Sequence, residues 1–219
     1  LVIATGATPR RLPGQEDFAH VHELRSLDDA LALRAAIAPG GRRVVVIGAG
    51  FIGLEAAATA KALDNEVIVL EGAPSPLIRG LGAEMGDAIA GLHRAKDVEV
   101  RCDVRIEALI DDGVRLADGS TIEADVVVVG IGVSPATDWL DGSGLAIRDG
   151  VVCDAQLQAL DSEGRPVAGV FAAGDVARWY NGLFDEEMRV EHWTNAAEQG
   201  AHAANNLVHL AAGELPEAY

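Results

Sequence analysis

Three glycines in one short segment have the spacing of a phosphate-binding turn. Residues 44–60 begin with a β-branched run, continue through Gly48, Gly50 and Gly53, and end in an alanine-rich stretch. In this G-x-G-x-x-G pattern the first glycine permits a tight strand-to-helix turn, the second admits a pyrophosphate, and the third lets the helix pack closely on the strand. Unpaired N–H groups at the helix start favour an anion at the same place. The segment therefore predicts a dinucleotide-binding site.

An acidic residue stands where the same motif places a ribose-binding carboxylate. Glu71 follows the apolar run 66–70 and lies 18 residues beyond Gly53. A carboxylate here accepts hydrogen bonds from ribose hydroxyls and repels a 2′-phosphate, which arginine normally binds. Glu71 therefore predicts NAD rather than NADP. The competing interpretation, a glycine turn in an ordinary α/β domain, does not account for the strand, the helix and the acid together.

Composition disfavours several classes of partner. The chain has 219 residues, of which 49% are hydrophobic, and its formal net charge of −17 disfavours nucleic acids and anionic membrane surfaces. No apolar run reaches the roughly 20 residues that cross a bilayer, and no signal-peptide pattern opens the chain. We expect a cytoplasmic protein with no membrane partner. Cys102 and Cys153 form no C-x-x-C pair and have no histidines at metal spacing, so we predict buried thiols and no metal site.

The rest of the chain alternates strands with helices, which predicts an α/β fold. A strand at 1–5 precedes a helix at 26–38 with Ser26 as its N-cap, and Asp-Gly pairs at 112–113 and 118–119 predict a three-stranded meander. Further expected elements are helices at about 82–95 and 195–212, a strand at 98–106, a buried strand from 125 to the glycines at 130 and 132, a loop-rich region at 136–169 and a strand at 169–173.

Three separated segments resemble one family. Residues 4–10 read A-T-G-A-T-P-R, the glycine-rich strand–helix–strand unit follows, and residues 170–175 read V-F-A-A-G-D. This order resembles the pyridine-nucleotide-dependent FAD oxidoreductases. Within that superfamily, V-E-H-W-T-N-A-A-E-Q-G at 190–200 is similar to a segment of the ferredoxin and rubredoxin reductases of oxygenase systems.

The resemblance implies a fold and two cofactor sites. It implies a Rossmann-like NAD-binding domain with a β-meander at 25–136, flanked by segments of a second, FAD-binding Rossmann-like domain at 1–24 and 137–219. The residues expected to contact NAD are Gly48, Gly50, Phe51, Ile52, Gly53, Glu55, Glu71, Arg79 and Gly132. Those expected to contact FAD are Thr5, Gly6, Arg10, Gly174, Asp175 on a ribityl hydroxyl, and Trp193 against the flavin.

Several of these residues also have simpler interpretations. Asp175 could cap the turn that follows it, and Trp193 could belong to the core. Glu55 could be a solvated helix carboxylate. Arg79 is a surface arginine unless the fold brings it to Glu71.

The resemblance further implies hydride transfer from NADH to FAD and electron transfer to a small iron–sulfur protein, ferredoxin or rubredoxin, with no catalytic side chain required. Three alternatives stay open: a disulfide reductase of the same superfamily, a non-enzymatic NADH-binding redox sensor, and a flavin-free NAD-binding regulator. The family's first G-x-G-x-x-G and its C-terminal domain have no counterpart in these residues. We therefore expect a fragment that binds NAD weakly and FAD hardly at all.

Overall fold

The computed structural model describes residues 1–219, which form two compact units. Unit 1 comprises Leu1–Thr8 and Val133–Tyr219, and unit 2 comprises Pro9–Gly132. The chain thus leaves unit 1, completes unit 2 and returns. The domain boundaries expected at 24/25 and 136/137 stay a prediction.

Sixteen strands and four α-helices make up the two units. The strands are β1 (Val2–Ile3), β2 (Ala7–Pro9), β3 (Val21–His22), β4 (Arg43–Ile47), β5 (Glu66–Leu70), β6 (Val98–Arg101), β7 (Ile106–Ile110), β8 (Gly113–Leu116), β9 (Thr121–Glu123), β10 (Val126–Val129), β11 (Val133–Pro135), β12 (Val151–Cys153), β13 (Gln158–Leu160), β14 (Pro166–Ala172), β15 (Ala177–Asn181) and β16 (Glu186–Met188). The helices are α1 (Leu27–Ile37), α2 (Phe51–Ala62), α3 (Ile78–Arg94) and α4 (Trp193–Ala211). None of these helices combines the length and apolarity that crossing a membrane requires.

A five-stranded sheet in the order β3-β10-β4-β5-β6 forms the centre of unit 2. Its neighbouring strands are all parallel. Helix α2 connects β4 to β5, and α3 connects β5 to β6, as parallel pairing requires. Ile47 pairs with Val129 on one side and with Leu70 on the other. The three central strands therefore end side by side at one edge of the sheet.

The central strands are buried on both faces. In β4, Val44 and Val46 share a core cluster with alanines of α2, whereas Val45 and Ile47 share one with the meander β7-β8-β9. Strands covered on both faces have continuous apolar sequences, as β4 and β10 do. The predicted meander is confirmed.

Two helices of unit 2 begin in different ways. Ser26 caps α1, because its hydroxyl accepts the Asp29 N–H while the Asp29 carboxylate accepts the Ser26 N–H. This capping box confirms the predicted start. Helix α3 begins at Ile78, before the predicted residue 82, and is kinked at Gly82 with φ 76° and ψ 170°. The first helical turn lies before this kink. It was not predicted, because the glycine-rich sequence at the kink is typical of a loop.

Unit 1 contains a mixed six-stranded sheet in the order β1-β14-β13-β12-β15-β16. Strands β1 and β14 are parallel, and β13 is antiparallel to both β14 and β12. Phe171, Trp179 and Ala203 are buried in one cluster, which joins the sheet to α4. Strands β2 and β11 form a separate two-stranded sheet.

Several predicted elements are wrong or displaced. The region 136–169, predicted as loops, contains β12, β13 and the start of β14, and the hairpin β15–β16 was not predicted. The predicted strand 98–106 is two strands, of which β6 joins the parallel sheet and β7 opens the meander. Helix α4 begins at Trp193, two residues earlier than expected. Short strands with distant partners leave little local signal.

Candidate functional site

A cavity of about 720 Å³ lies where the central strands of unit 2 end. Its lining includes Gly48, Gly50 and Phe51 from the β4–α2 turn, Glu71 after β5, and Gly132 after β10. Ligands of open parallel α/β sheets bind beyond the carboxyl ends of the strands. The volume falls within the roughly 300–1,000 Å³ of small-molecule and cofactor sites.

Two motif glycines let main chains approach where a side chain does not fit. A Cβ on Gly53 would lie 2.0 Å from the Gly48 carbonyl oxygen. A Cβ on Gly48 would lie 2.3 Å from the Gly130 carbonyl oxygen, and Gly48 has a φ of 100°. The close packing predicted for the motif is therefore present between β4, α2 and the end of β10.

Gly50 serves a different purpose, because it faces open space. It is the N-cap of α2, provides no side-chain cap, and a Cβ on it would meet no atom within 4 Å. The first turn of α2 contains no acidic residue, and the first N–H groups of any helix lack intrahelical partners. A pyrophosphate fits this helix start, because it would meet uncapped donors, the positive end of the helix dipole and the space of the missing Cβ.

The Glu71 carboxylate is bonded to the glycine-rich turn. Its Oε2 accepts the Ala49 N–H at 2.6 Å, and its Oε1 accepts the Ala73 N–H at 2.8 Å. Each oxygen keeps a lone pair for another donor, so two ribose hydroxyls could also be accepted. Glu71 thus lies at the predicted place, and it also orders the turn.

Arg79 lines the same cavity as Glu71, and these two are the charged residues of the lining. It lies in the first turn of α3, between Leu77 with φ 52° and the kink at Gly82. The Leu77 N–H donates to the Ala49 carbonyl oxygen at 3.1 Å, which ties the start of α3 to the glycine-rich turn. Arg79 and Glu71 thus share one cavity lining, and a ligand role for Arg79 stays a prediction.

The remaining residues predicted to contact NAD lie partly inside and partly outside the cavity lining. Gly53 is buried beneath the turn, whereas Ile52 is 43% exposed and Glu55 is exposed, and neither belongs to the cavity lining. Gly132, with φ 95°, lines the cavity and accepts the Arg10 backbone N–H at 2.9 Å. The roles of these residues toward NAD, and of Arg10 toward FAD, stay predictions.

Two predicted FAD segments of unit 1 leave the sheet at the same edge. Strands β1 and β14 run parallel with Ile3 opposite Ala172, so Thr5 and Gly6 follow one strand where Gly174 and Asp175 closely follow the other. Four of the six predicted FAD contacts are therefore neighbours at one sheet edge.

Hydrogen bonds hold both of these segments. The Thr5 hydroxyl donates to the Ala136 carbonyl oxygen at 2.9 Å. Gly174 opens a single 3₁₀ turn, Gly174–Val176, with φ 76°. The Arg189 guanidinium donates to the Asp175 carbonyl oxygen at 3.1 Å. The backbone around Asp175 is therefore fixed from outside its own turn.

Trp193 is 78% exposed, so the interpretation as a core residue is wrong. It is the first residue of α4, and its ring stacks on His192 with centroids 6.1 Å apart and an interplanar angle of 29°. His192 caps the helix, because its Nδ1 accepts the Thr194 N–H. An exposed indole at a helix start is available to a planar ligand.

The two cysteines are free thiols in different units. Cys153 is buried as predicted, and burial raises the pKa of its thiol to about 12. Cys102 is only half-buried, contrary to prediction, although burial raises its pKa as well. Both thiols are therefore protonated, and weakly nucleophilic, near neutral pH.

Some residues around these sites carry no recognisable sequence signal. Ala49 and Leu77 act through backbone groups, and Ser75 is buried in the cavity lining. In unit 1, the Gln199 side chain accepts the Gly174 N–H. The backbone contacts of Ala49 and Leu77 depend on the fold rather than on residue type. The contact between Gln199 and Gly174 joins positions 25 residues apart in the sequence.

The fold and the unit 2 site define a Rossmann-like dinucleotide-binding protein of the α/β class. Residues 1–200 match the family described as "Pyridine nucleotide-disulphide oxidoreductase", and the chain belongs to this family. Members of the family use FAD and NAD(H). The predicted fold class and family resemblance are thereby confirmed.

Two curated relatives are reductase components of dioxygenase systems. The chain is 39% identical over 210 residues to the ferredoxin–NAD(+) reductase component of the p-cumate 2,3-dioxygenase system of Pseudomonas putida, covering 95% of the chain and 50% of the relative. It is 38% identical over 223 residues to the corresponding anthranilate 1,2-dioxygenase component of Burkholderia cepacia, covering 99% and 53%. The chain spans about half the length of the curated relatives it matches.

Two solved structures that contain a reductase also match this chain. The ferredoxin reductase for the CYP199A2 system of Rhodopseudomonas palustris matches with a TM-score of 0.86 and 36% identity, over 100% of this chain and 53% of the other. A chain of the covalent putidaredoxin reductase–putidaredoxin complex matches with a TM-score of 0.87 and 30% identity, over 100% and 52%.

Proposed function

We propose that the protein carrying this chain is an NADH-dependent flavoprotein reductase that passes electrons from NADH through FAD to a small iron–sulfur protein. The observation that carries the proposal is the unit 2 cavity, in which an uncapped helix start and the Glu71 carboxylate line one space. The names of the relatives favour a ferredoxin as the acceptor over a rubredoxin.

Unit 2 provides the groups that would bind NADH. The start of α2 at Gly50 receives the pyrophosphate, and Glu71 accepts the ribose hydroxyls. The same carboxylate repels a 2′-phosphate, which sets the preference for NADH over NADPH. Arg79, the positively charged residue of the lining, is the group proposed to contact a phosphate.

Unit 1 provides groups for FAD. Asp175 offers a carboxylate to a ribityl hydroxyl, and Trp193 offers an exposed indole to a flat ring. Bound FAD and NADH supply the hydride and single-electron chemistry, for which the protein orients the two cofactors and excludes water. No acid, base or nucleophile from the chain is required.

The disulfide-reductase alternative has no support within this chain. In its two-cysteine form, that chemistry needs a pair of cysteines close enough to form a disulfide, with at least one reactive thiolate. Cys102 and Cys153 lie in different units and both have a raised thiol pKa.

Titration of the purified chain with NADH, NADPH and FAD tests the binding half of the proposal. We expect nicotinamide fluorescence to report tighter binding of NADH than of NADPH, and flavin fluorescence to report little binding of FAD by this chain. Equal affinity for NADH and NADPH would contradict the role of Glu71.

The longer protein tests the electron-transfer half. We expect NADH-dependent bleaching of a ferredoxin's visible spectrum, at a higher rate than with a rubredoxin. Rapid flavin reduction without transfer to either protein would contradict the proposed acceptor. A cytoplasmic location stays a prediction from the sequence, to be checked by cell fractionation.

A further inference from the structure

Gln199 is a buried polar side chain with no part in the function proposed above. It lies on α4 and is 0% exposed. Its Oε1 accepts the Gly174 backbone N–H at 2.8 Å. Its Nε2 is also buried and has no hydrogen-bonding partner in the protein. A buried amide that leaves one donor unpaired costs stability, so the position calls for an explanation.

The partner of Gln199 fixes which end of the amide is used. The Gly174 N–H is a donor, so only the oxygen can face it, and a flipped amide would set two donors against each other. Position 199 therefore functions as a buried hydrogen-bond acceptor.

The geometry of the Gly174 turn explains why an acceptor is needed there. Gly174 has φ 76°, and β14 ends two residues earlier at Ala172. A Cβ on Gly174 would lie 3.2 Å from the Ala196 Cβ, and Ala196 is three residues before Gln199, on the same face of α4. The turn is therefore pressed onto this face, where water cannot satisfy its buried N–H.

A second side chain fixes the other end of the same turn, because Arg189 donates to the Asp175 carbonyl oxygen. We infer that Gln199 is a positioning residue whose amide oxygen holds the Gly174–Asp175 turn in the conformation that presents the Asp175 carboxylate to FAD. The identity of the cofactor rests on the proposed function, whereas the holding of the turn does not.

Three variants of the full chain test this inference. Gln199→Met keeps the length of the side chain and removes the acceptor, and Gln199→Glu keeps an acceptor oxygen in either protonation state. Asn206→Leu is the matched control, because Asn206 is also buried on α4 but bonds to Gln156 and Glu217. Each variant is measured by residue-resolved amide hydrogen exchange in this chain and by titration of the longer protein with FAD.

We expect Gln199→Met to speed exchange of the Gly174 amide by about tenfold and to weaken FAD binding by a similar factor. Gln199→Glu should restore most of both properties, and Asn206→Leu should leave both unchanged. The inference is overturned if Gln199→Met leaves exchange at Gly174 unchanged, or if Asn206→Leu accelerates it equally, which would indicate general loosening of α4.

The FAD site and the holding of the turn can be tested separately. Absence of FAD binding to the longer protein would count against the FAD site of the proposed function. Exchange at Gly174 would then decide by itself whether Gln199 holds the turn.

Discussion

The two glycine turns of this chain are held in different ways. In unit 2, the turn at Gly48 closes because a missing Cβ on Gly53 lets main chains meet. In unit 1, the turn at Gly174 is held by side chains of Gln199 and Arg189. The first turn depends chiefly on the missing Cβ of Gly53, with the Glu71 carboxylate as an added hydrogen-bond acceptor, and the second depends on side chains that are present. The first should therefore fail when atoms are added, and the second when atoms are removed.

Adding one methyl group to unit 2 should have the largest effect. In Gly53→Ala the new Cβ overlaps the Gly48 carbonyl oxygen, and we expect a loss of roughly 3 kcal/mol in the free energy of unfolding. Urea denaturation measures it. Gly50→Ala is the matched control, because its Cβ meets no atom, and the free energy of unfolding should fall by less than about 1 kcal/mol.

Gly50→Ala should nevertheless weaken NADH binding, since the methyl group fills the space left for a pyrophosphate. Equal losses of stability in the Gly50 and Gly53 variants would contradict the inference that Gly53 permits close packing whereas Gly50 faces open space.

Replacing the carboxylate of unit 2 should change both stability and cofactor preference. Glu71→Arg removes the acceptor of two backbone N–H groups, at Ala49 and Ala73, with an expected loss of about 1–2 kcal/mol. It also supplies a partner for a 2′-phosphate, so preference should move from NADH toward NADPH in paired titrations. Glu71→Gln keeps one acceptor and should lose less stability. An unchanged preference for NADH over NADPH in Glu71→Arg would contradict the proposal that Glu71 accepts the ribose hydroxyls.

Removing the exposed indole of unit 1 should affect ligand binding only. Since Trp193 is 78% exposed, Trp193→Ala should leave the free energy of unfolding within about 0.5 kcal/mol of its original value. FAD binding to the longer protein should weaken by about 0.5–1.5 kcal/mol, the range of aromatic stacking. Phe184→Ala, at another exposed aromatic residue of unit 1, should alter neither quantity. A large loss of stability would place the ring of Trp193 in the core after all.

The smallest expected effect concerns a charge pair between Asp125, the residue before β10, and Arg43, the first residue of β4. Hydrogen bonds from Arg43 lower the pKa of Asp125 to about 2. A lowered carboxyl pKa stabilises the fold above the group's usual pKa, and this stability is lost as the pH falls through about 2. Asp125→Asn should therefore lower the free energy of unfolding by about 0.5–1 kcal/mol at pH 7.

The difference between Asp125→Asn and the unaltered chain should shrink as the pH falls from 4 toward 2. Denaturation curves between pH 4 and pH 2 measure this difference in the free energy of unfolding. A constant difference would contradict the lowered pKa of Asp125 as its source. NADH binding at pH 7 should not change, because Asp125 is outside the cavity lining.

Unit 2 could be predicted largely from its sequence because its signals are local. The glycine spacing, the Ser26 cap and the Asp-Gly turns each lie within a few residues of the element they specify. The early start of α3 could not be predicted, because Leu77 adopts φ 52° and Gly82 interrupts the helix. Backbone conformations of this kind are set by tertiary contacts rather than by the residue type alone.

Unit 1 was predicted less well because its structure depends on distant pairs. Strand β13 contains only three residues and pairs with β12 and β14, so alternation within it is too short to detect. The partnership of Gln199 with Gly174 is equally invisible, since glutamine on a helix usually indicates a solvated surface. Asp175 and Trp193 were identified only through the family resemblance, and their roles stay predictions.

The strand order of unit 1 has a consequence for how the chain assembles during synthesis. Strand β1 is made before unit 2, and its partner β14 begins only at Pro166, whereas every strand of unit 2 is complete by Val129. Closing so long a loop costs more entropy than the local pairings of unit 2. Strand β1 therefore stays without its neighbouring strand during synthesis until all of unit 2 has been made.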